Sequence, residues 1–291
     1  MSRNAAAGNI TSPHSIHQRY HNQGIIAQTF IKGMNDYFLG LLCWRTWLLL
    51  TWYEIRSRYT RTIIGPFWTT ISVAIFITAM GTIFSVLWHR SIHTYIPFFA
   101  SGYICWTFLS TTILDSSKTY ISATEFMYRV PVPYSVHSFK VIARNVVTMA
   151  HHMVVLVIIA LIFKVSINFY TLLFFPGMLV LCITGSWVSI LFGLLVTRFR
   201  DVEQIIASLL QVCLFLTPIF WQPSQLGTGR MAKLLLQCNP LLHFLDIVRQ
   251  PLLGTSASLF DWEFSIIFCL LGWLGTMFVF GKYYKNLVFW L

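Results

Sequence analysis

Residues 67–88 read FWTTISVAIFITAMGTIFSVLW, 22 residues without a charge. A helix needs about 20 apolar residues to cross the hydrocarbon core of a bilayer. Five further uncharged tracts follow, at 96–114, 145–163, 165–197, 204–229 and 264–281. No water in the bilayer core can satisfy a bare backbone, so each crossing has to be helical. The tract at 165–197 is 33 residues long, more than one crossing needs, which places its start in the interface. The pattern predicts an all-α membrane protein with six transmembrane helices.

Composition agrees. Of 291 residues, 56% are apolar and 10% charged, against about 25% charged in a soluble domain. Most of the surface must therefore face something other than water. The net charge of +11 would suggest nucleic acid on a soluble chain. No glycine-rich or RNP-like segment supports that, and no nucleic-acid partner is expected. Basic residues collecting beside spans explain the charge instead. With the N-terminus inside, segments 1–66, 115–144, 198–203 and 282–291 hold 15 Lys and Arg, against 5 on the other side. Both termini are then cytoplasmic. Trp88, Tyr95, Trp221 and Trp262 fall where spans meet the interface. Six cysteines occur with no CxxC pair, and they read as small core or lipid-facing residues.

Three parts follow along the chain. Residues 1–28 are polar, rich in His, Asn and Ser, and read as a flexible cytoplasmic tail. Residues 29–66 hold an interface helix and a basic segment. Here Phe30, Met34, Tyr37, Phe38, Leu41, Leu48 and Trp52 recur at helical spacing, with Lys32, Asn35, Asp36 and Thr46 mostly opposite. Residues 67–291 form the transmembrane domain. Before its last span, the apolar run 234–253 is interrupted by Asn239-Pro240 and by Pro251. Proline stops a continuous helix, so this run predicts two short re-entrant helices rather than a seventh span.

The missing chemistry is informative. No lysine sits in a GxxxxGK[ST] phosphate loop, and no HExxH, GxSxG or zinc-spaced Cys/His set occurs. No catalytic residue and no metal site is expected. The six tracts contain no Asp, Glu, Lys or Arg, whereas ion-coupled carriers place ionisable groups at membrane depth. Energy must then arrive from another subunit, or transport uses none. His151 and His152 lie at membrane depth, but adjacent helical residues point about 100° apart. They read as neutral histidines bonded to a neighbouring helix.

Residues 54–68 read EIRSRYTRTIIGPFW. Anchoring at the membrane explains the three arginines, but neither Glu54 nor the Gly65-Pro66 hinge. Those two suggest a fixed bend and a charged surface for a cytoplasmic partner. The stretch resembles the signature before the first span of ABC-2-type polysaccharide-export permeases. That signature reads as an acidic residue, then R-x-R-Y-x-R-[ST]-x-[LI]-G-x-x-W. Other pieces agree in order: FMYRVP at 126–131, RFRDV at 198–202, LTPIFW at 216–221, and NPL at 239–241 with Asp246 and Arg249. The resemblance covers about residues 30–290.

The resemblance implies a homodimer bound to two copies of a cytoplasmic ATPase, which carries the ATP and Mg. It implies a bacterial inner-membrane location and a lipid-linked glycan as cargo, O-antigen first, with spans one and five near the path. Coupling to the ATPase, or contact with a lipid headgroup, is expected at Glu54, Arg56, Arg58, Tyr59, Arg61, Glu125, Tyr128, Arg129, Arg200 and Asp201. Arginine suits phosphate because its planar fork donates two bonds. Aromatic rings accept the apolar faces of sugars, which makes Trp68, Phe76, Phe215, Phe220 and Trp221 channel-lining candidates. Two alternatives share parts of the pattern: an ABC-2 permease for a drug or simple lipid, and a membrane-embedded transferase acting on lipid-linked sugars.

Overall fold

The computed structural model describes residues 13–225 and 229–291. Its α-helices are α1 (Pro13–Leu42), α2 (Trp44–Tyr59), α3 (Phe67–Leu87), α4 (Ile92–Ser117), α5 (Thr124–Arg129) and α6 (Ser135–Ile162). They continue with α7 (Phe174–Arg198), α8 (Val202–Leu216), α9 (Arg230–Gln237), α10 (Pro240–Leu252), α11 (Leu259–Tyr283) and α12 (Leu287–Trp290). No strand occurs among the described residues.

Among the described residues, five helical segments are long and apolar enough to cross a membrane: Phe67–Leu87, Ile92–Ser117, Ser135–Ile162, Phe169–Arg198 and Leu259–Trp290. Each contains or overlaps one uncharged tract. The tract at 204–229 differs from the expected full span. Its helix, α8, has 15 residues, about 22 Å at 1.5 Å per residue, against roughly 30 Å of hydrocarbon. The cause is Pro218, which forces the preceding Thr217 out of the helical region to ψ 134°.

The layers follow from which helices bury both sides. Helix α4 is central, with Tyr95, Phe99, Ala100, Ile104 and Cys105 fully buried. It packs against α3, α6, α7, α8 and α10. Helices α3 and α8 each lean on α4 and leave an apolar face open, Ile71, Ile75 and Ile83 on α3, and Ile205, Leu209 and Val212 on α8.

The single interface helix expected over residues 30–52 is two helices. The chain breaks at Cys43, where ψ is +36°. Helix α1 begins at Pro13, inside the stretch read as a tail, while residues 1–12 lie outside the described residues. Only part of the expected apolar face of α1 packs against the protein: Phe30, Met34 and Tyr37 join a cluster with Phe139, Met277 and Phe280, while Phe38 and Leu41, and Leu48 and Trp52 on α2, are exposed. Gly33 and Gly40 are buried beside Tyr37. Close approach explains this. Gly33 meets the backbone of Met277 and Gly281 on α11, and a Cβ at Gly281 would strike the Thr29 carbonyl. Small residues let membrane helices come this near.

Asp36, expected on the polar side, is buried at the start of α6. Its carboxylate accepts from the Tyr134 and Ser135 N–H groups at 3.0 and 2.9 Å, and the Asp36 carbonyl accepts from the Ser135 hydroxyl at 2.7 Å. Helix α6 has no side-chain cap of its own at Tyr134, so α1 supplies one. Asp36→Ala is expected to cost about 1–2 kcal/mol, read as a lower midpoint of thermal unfolding in detergent. Asp36→Asn, which keeps one acceptor oxygen, should lose less.

The run 234–253 does divide in two. Asn239 caps α10 by accepting from the Leu241 and Leu242 N–H groups, and Pro240 takes the first turn. Pro251, expected to break the run, sits instead inside the last turn of α10.

Candidate functional site

The pre-span signature folds into the last two turns of α2 and the elbow into α3. Gly65 takes a left-handed φ of +63°, which glycine adopts without strain, and Pro66 leads into α3. Thr51 and Glu54, three residues apart, face α6. The Thr51 hydroxyl donates to the Trp47 carbonyl at 2.7 Å and to the Lys140 carbonyl at 3.2 Å.

Glu54 is the hub of an ion-pair chain. One carboxylate oxygen meets Lys140 Nζ at 2.9 Å, and the other pairs with Arg144 Nη1. Lys140 and Arg144 are four apart on α6 and so share one face. Arg144 reaches onward, with Nη2 at 2.6 Å from Asp115 in the last turn of α4. One turn further, Lys118 pairs with Glu203 at 2.8 Å, at the start of α8. These pairs thus tie α2 to α6 and α4, and the separate Lys118–Glu203 pair ties the end of α4 to α8, at one end of the bundle. Planar guanidinium is the group that can fork between two carboxylates.

Burial acts to raise the Glu54 carboxyl, but Arg144 and Lys140 outweigh it and hold the group below its ordinary range. An acid depressed by folding stabilises the fold above its unfolded pKa, and that contribution is lost as pH falls through the lower folded value. The contribution of this group to thermal stability should therefore hold steady from about pH 7 to 5 and fall below about pH 4. In Glu54→Gln the part of that fall due to this group should vanish.

Of the remaining signature residues, Arg58 reaches the ion-pair chain and the others lie around it. Arg56, Arg58 and Arg61 are exposed, with Arg58 at 3.8 Å from Glu54. Tyr59 is half-buried and lines a narrow pocket with Arg58, Arg144 and His151. Glu125, Tyr128 and Arg129 project from α5, and the Tyr128 hydroxyl donates to the Val288 carbonyl at 3.1 Å. Arg200 and Asp201 are exposed in the turn between α7 and α8. His151 bonds to the carbonyl of Val147 on its own helix rather than to a neighbour. His152 is buried.

Of the aromatic candidates, Phe215, Phe220 and Trp221 come together at the turn after α8. Trp68 is exposed at the start of α3, and Phe215 is exposed near the end of α8. Phe76 stacks on Tyr103 with centroids 4.5 Å apart. Phe220 is buried, packed on Phe84, Phe99 and Phe215. Its carbonyl accepts from Tyr95 Oη at 2.6 Å and Trp88 Nε1 at 3.1 Å. Trp221 Nε1 donates to the Phe215 carbonyl at 3.0 Å. Behind this turn, Arg249 Nη1 donates to the Pro218 carbonyl at 2.7 Å. Its Nη2 pairs with Asp246 at 2.6 Å, and the guanidinium carbon lies 4.7 Å from the Phe98 ring centroid.

Sequence reasoning missed Asp115, Lys118, Lys140, Arg144 and Glu203 as members of the site. One signal existed: Lys140 and Arg144 continue the helical register of the apolar tract that begins at Asn145.

The family model described as "ABC-2 type transporter" matches residues 45–253. The chain belongs to the ABC-2 type transporter family. It is a multi-pass permease subunit of a transporter, not an enzyme, and permeases of this family work with a separate ATPase subunit. The O-antigen export system permease protein RfbA of Myxococcus xanthus is 22% identical to it over 193 residues, 66% of this chain and 74% of the relative. The matched region of the permease begins at Arg45, in α2, and so takes in Glu54 and every partner in its ion-pair chain.

Proposed function

We propose that this permease moves a lipid-linked polysaccharide, of which O-antigen is the first candidate, from the cytoplasm across the inner membrane of a bacterium. It acts as a homodimer with two ATPase subunits, which bind ATP and Mg. Both termini then face the cytoplasm, and α8 with the segment after it serves as a short sixth crossing.

The observation that carries this reading is the chain of ion pairs from Glu54 to Asp115, which joins the arginine-bearing α2 to α6 and α4. A separate pair, Lys118–Glu203, holds the end of α4 to α8. Exposed groups on α2, α5 and the α7–α8 turn lie at the same end, where an ATPase can press on them. A push on α2 is passed through charge pairs to spans that bear on α8. The open apolar faces of α3 and α8 suit a second copy packing beside the path. The cargo class draws support from the relative's printed role in O-antigen export and from the signature at 54–68.

Deleting the gene and fractionating the glycan tests the function. Finished polymer trapped inside the cell supports export. Loss of polymer synthesis would instead point to a transferase, and unchanged glycan with altered drug tolerance to a drug permease. A narrower test is Arg58→Ala with Arg61→Ala. Both side chains are exposed, so insertion and thermal stability should hold within about 0.5 kcal/mol while export drops. Normal export by that variant removes the arginines from the mechanism.

A further inference from the structure

Beneath the tip of α10 lies a cavity of about 150 Å³. Phe108 of α4, Leu181 and Val188 of α7, Leu241 and Phe244 of α10, and Phe268 of α11 contribute to its walls, with Thr112, Thr184 and Trp187 alongside them, and the surface presented to it is apolar. Water needs two to four polar partners to occupy such a space, and an apolar cavity of about this size stays dry and takes up benzene or xenon. The walls come from helices that cross the membrane, α4, α7 and α11, so the solvent at hand is hydrocarbon. Of the wall residues Phe268 is 38% exposed, and Leu241, its neighbour Pro240, Ile113 and Phe192 are half-buried. Phe244, by contrast, is 3% exposed.

We infer that this cavity is a binding site for the end of a phospholipid acyl chain, which enters past Phe268 and Leu241 and seats under the first turn of α10. Close packing is the rule in protein interiors, and a hydrocarbon terminus restores it where the chain's own side chains leave space. The lipid then supports the α9–α10 hairpin from below. The assignment is independent of which cargo the permease carries.

The test uses the full chain in nanodiscs made with a phospholipid bearing a diazirine at its acyl terminus. After irradiation, label should appear on Phe244, which lipid reaches only through the cavity. Val188→Phe fills the cavity and should cut the Phe244 label at least five-fold. Label on Leu270 and Leu271, on the outward face of α11, should not change. Leu181→Phe serves as a second filled variant if the first fails to insert, and the wild-type pattern stands as evidence even without either. Absence of label on Phe244 in the wild-type chain overturns the site. Undiminished label in a folded filled variant does so as well. Label on Phe244 from a diazirine-tagged polyprenyl phosphate but not from the phospholipid overturns the phospholipid assignment.

Discussion

Arg144→Ala is expected to abolish export while leaving the chain in the membrane. The guanidinium is the link between Glu54 on α2 and Asp115 on α4, and its side chain is 10% exposed. Removing it leaves two carboxylates facing each other in a partly dry site. Breaking a buried pair by deleting one partner costs about 3–5 kcal/mol. The lower end applies here because Glu54 keeps Lys140. Arg144→Lys separates charge from geometry, since an ammonium preserves the positive charge but lacks the planar fork. It should insert, bind the ATPase, and export at an intermediate rate. Reconstituted export and thermal unfolding, measured together, read both effects. Wild-type export by Arg144→Ala would show that force does not pass along this chain of charges.

Arg249→Ala should produce the second large effect, at the opposite end. Arg249 is 1% exposed and holds both the Pro218 carbonyl and Asp246. Its loss leaves a buried carboxylate without a cation and a carbonyl without a donor, about 3–5 kcal/mol in total. The midpoint of thermal unfolding should fall by roughly 10 °C, since 1 kcal/mol shifts a chain of somewhat smaller size by about 2–4 °C. Replacing both members, as in Arg249→Met with Asp246→Leu, removes the stranded charge as well. That double variant should recover most of the loss. If it stays as unstable as the single variant, the hydrogen bond to Pro218 matters more than the ion pair.

The helices were legible because hydrocarbon imposes a length and forbids charge. The tracts at 67–88, 96–114 and 264–281 became Phe67–Leu87, Ile92–Ser117 and Leu259–Tyr283. The same charge rule hid the site. Ending a tract at the last charged residue cut Lys140 and Arg144 away from α6, although the helix runs back to Ser135. Charges at a membrane boundary can stay helical when a partner neutralises them. Glu54 is that partner, and it lies 86 and 90 residues upstream, beyond any local period. Glu54 itself stood out, because anchoring does not require it.

The interface helix failed for a related reason. Periodicity finds the apolar face, and in a soluble protein that face is the packed one. Beside a bilayer that face is divided: Phe38 and Leu41 stay exposed, while Phe30, Met34 and Tyr37 pack into the protein beside Gly33, Asp36 and Gly40. Residue size and hydrogen bonding decide that contact, and hydrophobicity does not report either. The shortness of α8 was readable at Thr217-Pro218, but an uncharged tract gives no mark where its helix stops.

The cap that α1 lends to α6 also sets an order of assembly. Asp36 precedes Tyr134 by 98 residues, so at about 5–20 residues per second the ribosome makes the lender roughly 5–20 s before the borrower. Helix α11, against which Gly33 packs, emerges later still. The first helix synthesised is thus the last to be fastened. A truncated or stalled chain leaves it loose, and cannot present a finished surface to an ATPase.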